Sequence, residues 1–242
     1  MIKMLENDSL DAAKHYCEGD PFGCRILGAL LAYGIDKPFA EFWAQYDETG
    51  AITAVIGKLD NAMTICAKGD YDTEEIDCFV KANVGYIGAL RLAREGETSN
   101  GLVMRLAWRK NRESASDVEL NPEISDLYAV MEECAGTGFE VPNFDDFYSD
   151  MIYRRKAKTV IAGIIRDDGM PVSCGAMHLA DKTGVLVMCA AVPEYRGKGY
   201  TGRVINALLD RTEGHDVYLM CMPSLHDFYA RFGFITVGGF VY

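Results

Sequence analysis

The sequence predicts a mixed α/β (α+β) fold in which a mostly antiparallel sheet is flanked by helices, arranged as two tandem lobes. Three observations carry this prediction. Apolar stretches of strand length are separated by short turns rich in Asp and Gly, which are typical of antiparallel hairpins. Amphipathic segments of helical period lie before and after these strands. The same order of helices and strands occurs twice along the 242 residues.

The first half reads as a strand, two helices, three antiparallel strands, a helix and two further strands. Ser9 fits the cap of the first helix, and Gly34 fits the end of the second. Turns at 47–50 and 60–61 join the three antiparallel strands. In chain order, the predicted elements are a strand at 1–5, helices at 9–18 and 22–33, strands at 40–46, 51–58 and 62–67, a helix at 73–81, and strands at 86–90 and 101–107.

The second half repeats this order after a polar, aperiodic segment at 110–118, which is the predicted linker. Its turns at 167–169 and 181–184 again contain Asp and Gly. The predicted elements are helices at 123–134 and 143–155, strands at 159–166, 172–180 and 185–192, a helix that opens near residue 200, a strand at 216–221, a short helix at 224–232 and a closing strand at 234–242.

The segment 185–202 is the most informative part of the sequence. Its apolar run at 185–192 predicts a strand buried on both faces, and Pro193 ends the pairing because proline has no amide proton to donate. A glycine-rich loop with Arg196 and Lys198 leads from there into a helix. Glycines at a helix N-terminus let backbone amides approach an anion, and the helix dipole favours the same negative charge. We therefore expect this loop to hold a phosphate or a pyrophosphate.

Two common phosphate-binding loops fit this segment poorly. The Walker pattern, which requires Gly-Lys followed by Ser or Thr, is absent. The stretch 197–202 satisfies the dinucleotide pattern G-x-G-x-x-G, but a Rossmann glycine follows its strand directly, whereas residues 193–196 intervene here.

The loop resembles the coenzyme A loop of the GNAT N-acetyltransferases. The family pattern is Gln/Arg-x-x-Gly-x-Gly/Ala, and Arg196, Gly199 and Thr201 occupy its three fixed positions. Thr201 stands where the family prefers a smaller residue. The stretch 228–234 matches a second family motif, F-Y-x-x-x-G-F, in the family's order and spacing.

The resemblance extends over about residues 120–242. It includes a group of two-lobed bacterial GNAT proteins that combine F-Y-x-D, before an Arg-rich helix end, with P-E-Y-R-G-K-G-Y. Here these stretches lie at 147–150 and 193–200, with Arg154 and Arg155 at the helix end.

The first half shares only the order of elements with a GNAT fold. At the place of its coenzyme loop, Asp70 and Asp72 would repel a pyrophosphate. The resemblance therefore implies a degenerate GNAT-like N-terminal domain at 1–112 that binds no coenzyme. It also implies a GNAT acetyltransferase domain at 113–242 that binds acetyl-CoA.

The resemblance also implies the reaction and the coenzyme site. GNAT enzymes move an acetyl group from acetyl-CoA to a primary amine by direct attack in a ternary complex, without a metal. The end of the strand would pair with the pantetheine as an added strand, a bulge there would splay the sheet, and the loop amides would hold the pyrophosphate. The residues expected to bind the coenzyme are Ala190, Ala191, Val192, Arg196, Gly197, Lys198, Gly199, Tyr200 and Thr201.

Two proton transfers accompany such a reaction. Tyr229 matches the family's general acid, which protonates the leaving thiolate. For the general base we select His178, because an imidazole pKa of about 6.5 suits amine deprotonation, although water can also relay the proton. Other candidates for the base are Asp150, Asp181, Glu194 and His226.

Many relatives carry an Asn that faces the coenzyme at the position of Met222.

Composition limits the classes of function. Hydrophobic residues make up 49% and charged residues 25%, as in soluble globular proteins. No apolar run approaches the about 20 residues that cross a bilayer, the N-terminus lacks the apolar stretch of a secretion signal, and the eight cysteines show no metal-ligand spacing. The expected location is the cytoplasm. A formal net charge of -12 disfavours a nucleic-acid partner.

The expected partners are a small-molecule or peptide amine acceptor, without nucleic acid or membrane, and the expected state is a monomer or a homodimer. Two functions from different classes stay open. The first is an acyl-CoA-dependent N-acyltransferase, and the second is a non-catalytic module that binds or senses acyl-CoA. A tRNA-dependent aminoacyltransferase is disfavoured because no basic track marks a tRNA surface.

Overall fold

A twelve-stranded sheet runs through both halves of the chain. The computed structural model describes residues 1–84, 88–109, 116–136 and 141–242. In chain order the strands are β1 (Ile2–Met4), β2 (Ala40–Tyr46), β3 (Ile52–Leu59), β4 (Ala62–Ala67), β5 (Ala89–Leu92), β6 (Gly101–Leu106), β7 (Glu119–Leu120), β8 (Val160–Asp167), β9 (Met170–Ala180), β10 (Thr183–Ala191), β11 (Asp216–Cys221) and β12 (Phe234–Val241). Their order across the sheet is β1-β2-β3-β4-β5-β12-β6-β11-β10-β9-β8-β7.

Seven α-helices accompany the sheet in the described residues. They are α1 (Leu10–Cys17), α2 (Pro21–Tyr33), α3 (Thr73–Val84), α4 (Ile124–Glu133), α5 (Phe144–Lys156), α6 (Tyr200–Asp210) and α7 (His226–Ala230). No helix in this part of the chain combines the length and the apolar character that crossing a membrane requires.

The helices cover both faces of the sheet. Along β9, Gly175 faces α6, because a Cβ at this position would lie 3.1 Å from the side chain of Val204. Ala176 points to the opposite face, where it packs in one apolar cluster with Leu127 and Val130 of α4. Alternate residues of β9 therefore face α6 on one side and α2 and α4 on the other.

Local chemistry explains why α2 lies where the sequence predicts it. The carboxylate of Asp20 accepts the amide hydrogen of Gly23 at 2.8 Å, and Pro21 occupies the first turn, where its missing amide hydrogen costs nothing. Gly34 ends the helix at a φ of 71°, which a glycine adopts without strain.

The predicted mixed fold with a mostly antiparallel sheet is confirmed. Within the described residues, β4–β5 and β10–β11 are the parallel pairs. One element was missed: β7 directly follows the predicted linker and pairs with β8, with Glu119 opposite Ile164. A strand this short carries no periodic pattern, so its pairing with β8 decides its conformation.

The two halves share strands. β6, from the first half, lies between β11 and β12 of the second half, and it pairs antiparallel with both. β5 pairs with β4 on one side and with β12 on the other. The predicted boundary at 112/113, residues 110–115 of the predicted linker and residues 86–87 of the predicted strand at 86–90 lie outside the described residues. The division into two domains therefore stays a prediction.

We expect a fragment of residues 113–242 to lack a cooperative unfolding transition. Without β6, the backbone groups of β11 and β12 lose their partners, and the buried side chains of Val103 and Met104 leave the core. A fragment of residues 88–242, which keeps β5 and β6, should retain more of the transition when both are melted and followed by circular dichroism. Equally cooperative melting of the two fragments would instead support an independent domain that begins at residue 113.

Candidate functional site

The parallel strands β10 and β11 part in the middle of the sheet. Their described pairing runs as far as Leu186 opposite Leu219, although β10 continues to Ala191. At the same level, a bulge between Val187 and Ala190 shifts the register of β10 on β9. The last part of β10 therefore presents a backbone edge on the side of β11 without pairing to that strand.

The bulge also decides which side chains face the opening. Met188 adopts a φ of 54°, in the left-handed region that non-glycine residues rarely occupy. Beyond it, Cys189 packs with the apolar cluster of α6. Ala190 and Val192 instead pack on the opposite face, in the cluster that contains α4.

The loop after β10 leads its backbone into the N-terminus of α6. Gly197 and Gly199 adopt φ values of 78° and 84°, and a Cβ at either position would meet open space. Gly199 is the residue before the first turn of α6, and no side chain caps this end. The first amide groups of α6 therefore lack a capping partner, which makes this helix end suitable for an anion.

The two basic side chains of the loop contact residues close to them in the chain. The guanidinium Nε of Arg196 donates to the carbonyl oxygen of Ala191 at 3.1 Å, so the loop is fastened to the end of β10. The ammonium group of Lys198 lies 4.4 Å from the centre of the Tyr195 ring. Both positive charges thus lie beside the helix N-terminus, where they add to the attraction for an anion.

A cavity of about 570 Å³ joins the edge of β10, the glycine loop and α7. This volume lies in the usual range for sites of small molecules and cofactors. It is lined by Cys189, Ala191, Tyr195, Arg196, Gly197, Gly199, Tyr200, Thr201, Gly202, Leu225, Phe228, Tyr229, Arg231 and Phe232. The structure thus brings Tyr229 together with six of the nine residues expected at the coenzyme site. The side chains of Ala190, Val192 and Lys198 do not line the cavity.

Tyr229 lies at the inner wall of this cavity. Its side chain is buried, its ring packs edge-on against Phe228 and Phe234, and its hydroxyl lies near the thiol of Cys189. Burial, with the nearby thiols of Cys189 and Cys221, holds the pKa of Tyr229 well above its ordinary value. The hydroxyl is therefore protonated at neutral pH and available as a donor.

Cys189 and Gly202 are two residues of the site that the sequence did not identify. Burial raises the pKa of the Cys189 thiol to about 12, so the thiol is neutral. A Cβ at Gly202 would lie 3.1 Å from the ring of Phe232, so glycine lets α6 approach the turn after α7 closely. The sequence signal for Cys189 was its place in the strand before the loop, but the bulge that turns it inward was not readable.

The structure places His178 away from this cavity. It lies on β9, on the face opposite α6, and it lines a different cavity with Arg25 and Arg154. Burial and the charges of Arg154 and Arg25 hold its pKa well below its ordinary value. The expectation that His178 is the general base therefore finds no support in the geometry.

The other candidate bases are also outside the cavity. Asp150 accepts hydrogen bonds from Arg154 and Tyr33 between α2 and α5. Glu194 is exposed in the short turn after β10, and His226 pairs with its neighbour Asp227 at 2.9 Å. The residues that line the cavity in the described part of the chain include no carboxylate and no histidine.

Residues 124–234 match the model of the acetyltransferase (GNAT) family. This match falls on the half of the chain that carries the opened strands, the glycine loop and Tyr229. The second half of the chain therefore contains a GNAT family domain. No curated protein matches the sequence.

Three solved structures share the fold over nearly the whole chain. A GCN5-related N-acetyltransferase from Sphaerobacter thermophilus aligns over 100% of this chain and 93% of its own, with 13% identity and a TM-score of 0.59. A tandem GNAT protein from the clavulanic acid biosynthesis pathway aligns over 100% and 96%, with 11% identity and a TM-score of 0.56. A protein from Drosophila aligns over 98% and 95%, with 12% identity and a TM-score of 0.61.

These likenesses show a shared fold, and the layout of two lobes is consistent with the tandem GNAT protein. The chain spans a smaller part of two other matching structures. It covers 64% of the length of one from Novosphingobium aromaticivorans and 37% of the length of a chain from a fungal multi-domain β-N-acetylglucosaminidase.

We expect Cys189 to resist alkylation by iodoacetamide at pH 8, because its pKa of about 12 leaves almost no thiolate. Its labelling at pH 8 should be much slower than that of the exposed Cys78. Mass spectrometry of the digested protein measures both peptides in one sample. Labelling of Cys189 at pH 8 as fast as that of Cys78 would contradict the raised pKa of the Cys189 thiol.

Proposed function

We propose that this chain is an acyl-CoA-dependent N-acyltransferase that moves an acetyl group from acetyl-CoA to a primary amine by direct attack. The observation that carries the proposal is the single cavity that brings together the free edge of β10, the uncapped N-terminus of α6 and the Tyr229 hydroxyl. The match of residues 124–234 to the acetyltransferase (GNAT) family model supports the same chemistry.

The coenzyme would bind through backbone groups at both ends of the cavity. The amides from residues 196–201 would hold the pyrophosphate, with the helix dipole and the charges of Arg196 and Lys198 in support. The pantetheine is a chain of amides, and the edge of β10 near Ala191 would pair with it as an added strand. The side chains of Ala190 and Val192 face the other side of the sheet, so their contribution would come from the backbone.

The acyl transfer would be one displacement at the thioester carbonyl. The lone pair of the amine nitrogen attacks the carbonyl carbon, a C–N bond forms, and the C–S bond breaks with its electron pair on sulfur. Tyr229 is the group that meets this charge, because its protonated hydroxyl lines the cavity and lies near the sulfur of Cys189. Since its pKa lies above that of a thiol, about 8.5, full proton transfer to the thiolate is uphill. The hydroxyl would therefore act by donating a strong hydrogen bond to the leaving sulfur.

The proton of the amine would leave through water. The described lining of the cavity contains no carboxylate and no histidine, and His178 lies on the opposite face of the sheet. An alkyl amine with a pKa of about 10.4 is neutral only in a small fraction at pH 7. If the amine loses this proton to water before it attacks, no dedicated base is needed. The rate would then rise with pH, because the fraction of neutral amine grows.

The first half would serve as a degenerate GNAT-like lobe that binds no coenzyme. At the corresponding opening beside β4 and β5, the basic side chains are already engaged by acids. Arg91 pairs with Glu97 at 2.6 Å, and Arg94 pairs with Asp77 at 2.7 Å. Asp70 lines the same opening. This charge distribution is unfavourable for a pyrophosphate, so we assign the lobe to shaping the acceptor side.

The second candidate function is a non-catalytic module that binds acyl-CoA. It is favoured by Met222, which is exposed at the place where many relatives carry an Asn, and by the lack of a base in the described lining. It shares the cavity and the loop with the enzyme. The two candidates differ in whether the Tyr229 hydroxyl contributes to turnover.

Replacing Tyr229 by Phe should lower kcat by about 10²-fold or more, because the leaving sulfur loses its donor. Binding of acetyl-CoA should be retained, since the ring still fills its buried place. Thiol release from acetyl-CoA with a panel of primary amines measures the rate. Tyr218→Phe, on β11 and outside the cavity, is the matched control. An unchanged kcat would remove Tyr229 from the reaction, and no turnover in the parent would favour the binding module.

Replacing Gly199 by Glu should abolish acetyl-CoA binding measured by calorimetry. The carboxylate would occupy the anion site at the N-terminus of α6 and repel the pyrophosphate. Gly169→Glu is the matched control, because Gly169 has a φ of 82°, also faces open space and lies in the β8–β9 turn. Equal loss in both variants would show that backbone strain, and not the loop site, caused the effect.

A further inference from the structure

A second, smaller cavity of about 60 Å³ lies between the two halves, on the face of the sheet opposite α6. Its walls come from α2, from the β3–β4 hairpin, from α5 and from β9. The polar side chains among its lining are those of Arg25, Thr64, Arg154 and His178. A water molecule needs about 10–15 Å³ of such space, so the cavity has room for a group of four or five heavy atoms.

Two guanidinium groups in this lining have buried N–H groups without a partner. Arg154 is 4% exposed, and its Nε donates to both carboxylate oxygens of Asp150 at 2.8 Å. Its Nη1 and the Nε of Arg25 are buried, and neither has a hydrogen-bond partner among the described residues. An unpartnered donor on a buried charge is costly, so such groups are normally satisfied by a bound species.

The charges around the cavity leave one positive charge uncompensated. Arg25 and Arg154 are both cations, and the carboxylate of Asp150 contacts Arg154. Burial and the charge of Arg154 lower the pKa of Arg25, and no acid forms an ion pair with Arg25 in the described structure. His178 stays neutral because burial and both arginines hold its pKa low, so it is able to donate one hydrogen bond and accept another.

The cavity is reached from the surface at the β3–β4 hairpin. Ala62 is exposed and Leu59 is half-buried at the mouth, whereas Phe42 and Ile26 form the buried floor. The lining of the cavity therefore reaches the surface at the hairpin.

We propose that this cavity binds a small oxyanion, a carboxylate or a phosphate, held by Arg25 Nε, Arg154 Nη1 and His178. Guanidinium N–H groups are well suited to the oxygens of these groups. The anion supplies the missing negative charge and ties α2 of the first half to α5 and β9 of the second half. This site is separate from the proposed coenzyme cavity, which shares none of its lining residues.

The test compares thermal unfolding of the full chain in chloride, in acetate and in inorganic phosphate, at equal pH and ionic strength. We expect acetate or phosphate to raise Tm above its value in chloride, because a ligand that binds the folded state stabilises it. Phosphate also stabilises folded proteins by exclusion from their surface, so the diagnostic rise is one that disappears in Arg25→Met. Such a rise in acetate alone identifies a carboxylate site, and such a rise in phosphate alone identifies a phosphate site. Equal Tm values in all three salts would mean that the cavity holds only water, and this would overturn the proposal.

Arg25→Met removes one guanidinium and keeps an unbranched side chain of similar length. It should weaken binding of the stabilising anion, measured by calorimetry, about tenfold or more, because a charge-assisted hydrogen bond is lost. Arg105→Met is the matched control, since Arg105 forms a half-exposed pair with Asp216 and lies outside the cavity. An equal Tm rise in Arg25→Met and the parent would place the anion elsewhere and overturn the proposal.

Two further measurements keep the test decisive. If Arg25→Met does not fold, Arg25→Lys retains the charge, loses Nε and should still weaken anion binding relative to the parent. Acetyl-CoA binding should be unchanged in the folded variant, because the coenzyme cavity lies on the other face of the sheet. The anion site and the proposed function therefore succeed or fail independently.

Discussion

The separation of β10 from β11 is the constraint on which the candidate site depends. Two parallel strands that pair through Leu186 and then part leave a backbone edge inside the sheet. A bulge at 187–190, with Met188 in a strained conformation, makes this possible without breaking the antiparallel ladder of β10 with β9. The end of β10, the glycine loop and α7 form the walls of the cavity. The first of these walls is available because β10 parts from β11.

The two halves depend on each other more than the repeated order of elements indicates. β6 crosses from the first half into the middle of the second, where it separates β11 from β12. The strand that supports one side of the opening is therefore supplied by the other half of the chain. Arg25 of α2 and Arg154 of α5 also bring the two halves together, on the face of the sheet opposite α6. Packing between the halves and the geometry of the site are thus physically linked.

Much of the fold and part of the site could be predicted from local sequence. The Asp20 and Pro21 start of α2, the hairpin turns and the glycines of the loop each reflect a preference that acts over a few residues. His178 shows the limit of this reasoning. Alternation along β9 predicts that His178 and Gly175 face opposite sides of the sheet. It does not predict which side carries the proposed coenzyme cavity. That depends on α6 and α7, which come later in the chain.

The sequence by itself determined the mixed α/β class, the strand–loop–helix segment at 185–202 and the placing of Tyr229 in a GNAT motif, because these are encoded by short-range patterns. Only the tertiary structure decided that β6 enters the second half, that the Tyr229 hydroxyl meets Cys189 and that Arg25 meets Arg154. Each of these contacts joins residues far apart in the chain. Their partners are chosen by the packing of the whole sheet and its helices, which no local preference specifies.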